Sequence, residues 1–123
     1  MTRVQWDMLA QTLVGINPSE FHHGDCIGAD AQAHDIAQDL DCDIIIHPPL
    51  DPKSRAFCTG TLLLPKKDYL DRNKDIVNAA EVLVATPETM HEVLRSGTWS
   101  TVRYAKKIGC RVIIIYPDGT KKE

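Results

Sequence analysis

Residues that could hold a ligand are concentrated in three short segments, of which the first spans 23–30 and reads HGDCIGAD. It follows a predicted strand and opens a predicted helix. Gly24 and Gly28 let the backbone approach a ligand closely, and the free N–H groups of a helix start favour an anion. Asp25 and Asp30 are candidates to accept hydrogen bonds from sugar hydroxyls. The alternative is a plain strand-to-helix turn in which Asp30 complements the helix dipole.

The second segment, residues 95–101, reads RSGTWST and also opens a predicted helix. Four hydroxyl side chains surround one glycine in it: Ser96, Thr98, Ser100 and Thr101 around Gly97. Hydroxyls beside unpaired N–H groups suit a phosphate, whereas simple N-capping by Thr98 or Ser100 needs only one of them. Trp99 either belongs to the core or stacks on a base.

The third segment, residues 71–75, reads DRNKD and lies on the helix before a buried strand. A run of charges is most often a solvated helix face. The other interpretation is that Arg72, with Asn73 beside it, reaches over the strand ends and binds a phosphate in bidentate fashion.

The histidines and cysteines do not predict a metal site or a cofactor. No carboxylate completes a ligand set with His22, His23 and His34, and the first two point to opposite faces if the segment is extended. The four cysteines contain no CxxC pair, which zinc sites usually need, and are interpreted as reduced thiols.

The elements that must position these segments alternate along the chain. Predicted strands cover 20–23, 43–47, 82–86 and 111–116, and predicted helices cover 2–14, 29–40, 67–80 and 99–108. This order predicts one α/β domain over 1–123, a Rossmann-like three-layer sandwich with a mostly parallel sheet of about four to five strands. All three segments then fall at the carboxyl ends of the strands, where ligands bind in such folds. The long loop 48–66, with Lys53 and Arg55, could close over the ligand.

Composition narrows the function classes. With 43% apolar and 25% charged residues the chain is typical of a globular domain. A net charge of −3 disfavours duplex nucleic acid as a partner. No long apolar run predicts a membrane span, and without a signal peptide at its start the chain is expected in the cytoplasm.

Together the motifs HGDCIGAD, YLDRNKDIV, VLVATP and SGTWSTVRYAKKIG resemble the SLOG superfamily, the Rossmann-like group that includes DNA-processing protein A and the Lonely Guy phosphoribohydrolases. The resemblance covers residues 20–119 and is greatest to small single-domain bacterial and phage members. It implies a nucleotide-type ligand. Arg72 matches a phosphate-site arginine of the Lonely Guy enzymes, and residues 98–101 match their phosphate turn loosely. Tyr104 falls where those enzymes have a catalytic glutamate.

The expected function is therefore non-catalytic. The chain is expected to sense or sequester a nucleoside monophosphate or an ADP-ribose-like signal. The alternatives are an N-glycosidic nucleotide hydrolase and a module that binds single-stranded nucleic acid. A homo-oligomer, dimer or higher, is expected, with Trp6 and Leu9 of the helix 2–14 exposed at its interface.

Overall fold

Four helices and six strands make up the computed structural model, which describes residues 1–123. In chain order the elements are α1 (Arg3–Ile16), β1 (Glu20–His23), α2 (Ala29–Asp39), β2 (Asp43–Ile46), a 3-10 turn (Pro52–Ser54), β3 (Leu62–Leu63), α3 (Tyr69–Ala79), β4 (Val82–Ala85), α4 (Gly97–Lys107), β5 (Arg111–Ile115) and β6 (Lys121–Lys122). None of the helices combines the length and the apolar character that a membrane crossing requires.

The helix boundaries follow from local capping residues. Thr2 caps α1 and forms a capping box with Gln5. α4 begins two residues earlier than predicted because Ser96, rather than Thr98 or Ser100, accepts a hydrogen bond from an early N–H group of the helix.

The strands form two three-stranded sheets, ordered β1-β2-β3 and β4-β5-β6. The first sheet is parallel throughout, β4 is parallel to β5, and β6 is antiparallel to β5. The predicted α/β class is thus confirmed. The strands do not form the single sheet that the pattern predicts, because β1 and β4 do not pair. The side chains of a strand point to the faces of a sheet, so burial patterns do not reveal which strand lies at its edge.

The core lies on both faces of β5. Val112 and Ile114 pack with α3 and α4, whereas Ile113 and Ile115 pack with α1 and α2. A third cluster joins α2 to β2 through Ile44 and Ile46. Helices therefore cover both faces of the sheet that contains β5. A strand with apolar residues at successive positions needs both of its faces covered.

Helix α1 is attached to the carboxyl ends of β4 and β5 through Gln5, which is buried. Its Nε2 donates to the Pro87 carbonyl at 2.7 Å and to the Ile115 carbonyl at 2.9 Å. Leu9 lies in the core, and Trp6 packs against the same cluster. The prediction that Leu9 is exposed is wrong, because Leu9 is buried in this cluster, whereas Trp6 is only half-buried.

Candidate functional site

A cavity of about 760 Å³ separates β1 from β4 and is lined by residues along the whole length of both strands. Its volume lies within the range of small-molecule sites. Its lining includes seven of the twelve predicted site residues: Gly24, Asp30, Arg72, Asn73, Gly97, Thr98 and Thr101. The three segments that stood apart in the sequence therefore meet around one space.

Arg72 projects from α3 into the wall of this cavity and is only 6% exposed. Its Nη1 donates to the Gly24 carbonyl at 2.6 Å and to the His47 carbonyl at 3.3 Å. Its Nε donates to Asn73 Oδ1 at 2.8 Å, and Nη2 has only the Cys26 sulfur, 3.7 Å away, as a partner. The guanidinium forms no salt bridge in the chain. A buried cation without a carboxylate partner is unusual, because burial of an unpaired charge is costly.

Gly24 is required at the end of β1 because Arg72 occupies the space of a side chain there. A Cβ at this position would lie 2.8 Å from Arg72 Nη1 and 3.0 Å from Asp30 Oδ2. The glycine thus lets the guanidinium reach the strand end.

The start of α4 supplies free hydrogen-bond donors to the cavity. The Ser96 hydroxyl accepts from Trp99 N–H at 3.3 Å, and the Ser96 carbonyl accepts from Ser100 N–H. The N–H groups of Gly97 and Thr98 have no acceptor within the chain, and no acidic residue lies in the first turn. Two amide donors and the positive end of the helix dipole therefore face a space that a phosphate could fill.

The start of α2 carries a negative side chain, in contrast to the amide donors at the start of α4. Gly28 precedes this helix with φ 104° and ψ −122°, a conformation that only glycine adopts readily. Asp30 lies in the first turn, and its Oδ2 accepts from Cys26 N–H at 3.1 Å. Because a carboxylate repels phosphate but accepts hydrogen bonds from hydroxyls, Asp30 suits a sugar rather than an anion.

Five predicted site residues lie outside the cavity: Asp25, Gly28, Ser96, Trp99 and Ser100. The Asp25 carboxylate is fully buried and accepts from Arg55 Nε at 2.8 Å and from Cys58 N–H at 2.9 Å. Burial raises the pKa of Asp25, but these hydrogen bonds lower it by more, so the pKa of Asp25 is below its usual value. Trp99 belongs to the core, and its indole donates to Thr89 Oγ1 at 3.0 Å.

The loop 48–66 is fastened to the turn before α2 rather than free to close over the cavity. Besides the Asp25–Arg55 ion pair, Ile27 N–H donates to the Ser54 carbonyl and Ala56 N–H to the Asp25 carbonyl. Lys53, the other predicted loop contact, is exposed.

Glu88 is a carboxylate of the cavity wall that the sequence analysis missed. It is exposed and follows β4 after Pro87. The signal that could have identified it is its place just beyond a strand end, at the same edge as the three segments. Tyr104, by contrast, lies outside the cavity and donates its hydroxyl to Asn78 Oδ1 at 2.8 Å.

Four histidines form two hydrogen-bonded pairs on opposite faces of β1. His22 Nδ1 lies 2.8 Å from His47 Nε2, and His23 Nε2 lies 3.0 Å from His34 Nδ1. The predicted divergence of His22 and His23 is therefore correct. The second pair also meets Cys58, with the three ligand atoms within 4.8 Å of one another. The sequence analysis missed this cluster because Cys58 comes from the loop 48–66, whose path has no sequence signature.

The arrangement as a whole is an open cavity with a buried guanidinium on one wall, free amides on another and carboxylates near both. The lining as a whole holds four carboxylates, those of Glu20, Asp30, Glu81 and Glu88, and one guanidinium. An anionic group is therefore favoured only beside Arg72 and the α4 amides, and hydroxyls are favoured elsewhere. Compared with protein-family models, with curated proteins and with solved structures, the chain matches none of them.

Proposed function

We propose that the chain binds a phosphate-bearing nucleotide derivative in the cavity between β1 and β4, as a sensor or sequestering protein. The observation that carries the proposal is Arg72, a buried guanidinium without a carboxylate partner on a cavity wall. An anionic ligand would supply the missing negative charge. The α4 amides of Gly97 and Thr98, which line the same cavity, support this interpretation.

The proposed ligand lies with its phosphate at the start of α4 and its ribose hydroxyls toward Asp30. Arg72 Nη2, whose only partner is a thiol, is the donor still available to the phosphate. A hydrogen bond to a charged group contributes about 1.5–3 kcal/mol, so each of these donors matters to affinity. The ligand class is a nucleoside monophosphate or an ADP-ribose-like molecule, as the SLOG resemblance implies.

The proposal includes a Rossmann-like arrangement of the two sheets. β1 and β4 are both edge strands, both line one cavity, and helices cover both faces. In a strand order of β3-β2-β1-β4-β5, the cavity would lie between β1 and β4. This is the point at which the order of successive strands reverses, and it is the usual ligand position in such folds. We also propose that the protein is cytoplasmic and forms a homo-oligomer.

Nucleotide hydrolysis is the second candidate function, because Glu88 places a carboxylate on the cavity wall. Cleavage of an N-glycosidic bond needs a carboxylate that stabilises developing positive charge or positions water. Tyr104 cannot supply it. Chromatography of AMP and ADP-ribose after incubation with the protein separates the two functions. Intact ligand supports binding alone, whereas base release that Glu88→Gln abolishes supports the hydrolase.

Substitutions at Gly97 test the phosphate position without disturbing the helix. Gly97 is the first helical residue, where proline is favoured, and Ser96 already has the extended backbone required before proline, with φ −88° and ψ 132°. A Cβ at Gly97 meets no atom within 4 Å. Gly97→Pro therefore removes one N–H donor, and Gly97→Ala is the matched control that keeps it.

The measurement is calorimetric titration of both variants with inorganic phosphate, AMP and ADP-ribose. We expect Gly97→Ala to bind like the wild type and Gly97→Pro to bind about tenfold more weakly, as loss of one charged hydrogen bond predicts. Equal affinities of the two variants would remove the α4 amides from the site. Failure of the wild type to bind any of the three would contradict the proposal itself.

A further inference from the structure

The cluster of His23, His34 and Cys58 lies on the α2 side of β1. His23 also lines the cavity, but none of the three residues is assigned to the proposed phosphate contacts. Two of its members are nearly fully buried, His23 at 3% and His34 at 4% exposure. One imidazole comes from a strand and one from a helix, so two of the three ligand atoms are held on rigid elements. The third is fastened by Asp25, whose carboxylate accepts from Cys58 N–H at 2.9 Å.

We propose that His23, His34 and Cys58 bind one Zn²⁺ ion and leave its fourth coordination position open. Imidazole and thiolate are the ligands that zinc prefers, and three protein ligands with one free position are typical of non-structural zinc sites. His23 Nε2 and His34 Nδ1 are 3.0 Å apart. Two nitrogens bound to one tetrahedral zinc ion are separated by about 3.3 Å, so the pair needs little movement to bind.

The hydrogen bonds of His23 show which of its ring nitrogens carries the proton before zinc binds. Asp25 N–H donates to His23 Nδ1 at 2.9 Å, so neutral His23 carries its proton on Nε2 and donates it to His34 Nδ1. When zinc takes the place of that proton, the proton moves to Nδ1 of the same ring. Cys58 releases its thiol proton to solvent and binds as thiolate. The Asp25 N–H group then loses its acceptor and must turn away from the ring.

The surrounding charges favour a cation at this position. Burial together with Asp25, Asp35 and Asp30 raises the pKa of the Cys58 thiol to about 11. The same carboxylates attract a divalent ion, which overcomes their effect on the thiol by binding the thiolate directly. Asp25 and Arg55 neutralise each other, so the attraction comes from Asp30 and Asp35, and Arg72 opposes it.

Cobalt titration of the whole protein tests the proposal, because Co²⁺ occupies zinc sites and reports its ligands by colour. The chain is first freed of metal with a chelator. We expect a thiolate-to-cobalt charge-transfer band that saturates at about one ion per chain, and Zn²⁺ should displace it. In the wild type the Asp25 amide resonance should shift on addition of Zn²⁺.

Cysteine variants identify the ligand. The band should be absent from Cys58→Ser and present in a variant that keeps Cys58 as its sole thiol, with serine at positions 26, 42 and 110. His34→Gln should weaken binding more than tenfold, the least that loss of a supporting residue costs. Circular dichroism checks folding. If Cys58→Ser does not fold, the sole-thiol variant decides, since a band there can come only from Cys58.

Three results would overturn the zinc site: no charge-transfer band in the wild type, a band that persists in folded Cys58→Ser, or no band in the sole-thiol variant. None of them bears on phosphate binding at α4, which the Gly97 variants test separately.

Discussion

Two side chains, Arg72 and His47, are buried together at the carboxyl ends of β1 and β2. Arg72 satisfies the carbonyls of Gly24 and His47 and presents its remaining donor to the cavity. His47 lies beside it, buried, with its ring hydrogen-bonded to His22. The charge at this edge therefore depends on the protonation of His47.

His47 should make the protein less stable in acid. The pKa of His47 is lowered from its usual 6.5 to about 4, mainly by burial and then by neighbouring His22, while Asp75 opposes the shift. Arg72 and His23 lower the pKa as well. Because the unfolded chain binds the proton more readily, stability is complete above pH 6.5 and is lost as the pH falls toward 4. The loss attributable to His47 is about 3 kcal/mol.

Urea unfolding at a series of pH values between 4 and 7 measures this effect. His47→Gln should flatten the dependence of the unfolding free energy on pH, while His91→Gln, at an exposed loop position, should leave it as in the wild type. An unchanged slope in His47→Gln would show that other groups cause the acid sensitivity.

Among the elements, the loop 48–66 owes its order to one buried ion pair. Asp25 has a left-handed backbone, φ 55°, which turns its carboxylate toward Arg55 and the Cys58 amide. Main-chain hydrogen bonds from Ile27 and Ala56 complete the attachment. The loop is therefore fastened to the turn before α2, and none of its residues lines the cavity.

Removal of Arg55 should release this loop. Arg55→Ala leaves the buried Asp25 carboxylate without its cation, which should cost about 3 kcal/mol of stability and expose the loop to thermolysin. Lys53→Ala is the control, because Lys53 is exposed and its side chain forms no hydrogen bond. Equal cleavage rates in the two variants would show that the main-chain bonds alone hold the loop.

The long elements were predictable and the short ones were not. Helical periodicity and apolar runs predicted four helices and four strands close to their observed bounds. Strand β3 has two residues, Leu62 and Leu63, both exposed, so neither pattern length nor burial marks it. The same lack of local signal hides Cys58, which only the folded loop brings to His23 and His34. Lys121 and Lys122 are charged residues without a strand pattern, but they form β6.

At the scale of the whole molecule, two sheets share one core and one cavity. β2 and β5 are paired on both sides, whereas β1 and β4 have neighbours on one side only. Apolar patterning predicted the strands and the faces that they bury. It could not predict the separation of β1 from β4, because the backbone forms the hydrogen bonds at a strand edge and they do not depend on side-chain type.

Amide hydrogen exchange should reveal this separation. We expect the cavity-facing amides of β1 and β4 to exchange at least about tenfold faster than amides of β2 and β5, since water reaches them without global unfolding. Exchange followed by NMR, residue by residue, gives the comparison, with β2 and β5 as internal references. Uniform protection of all four strands would mean that β1 and β4 pair in solution and form a single sheet.

The contact between Gly24 and the Arg72 guanidinium links two positions that are far apart in the chain. A side chain at position 24 would meet the guanidinium tip of Arg72, which would have to move from that strand end. During divergence, we therefore expect the two positions to change together. Descendants that retain the arginine should retain the glycine, and a descendant with a larger residue at 24 should have lost the arginine and, with it, the affinity for anions.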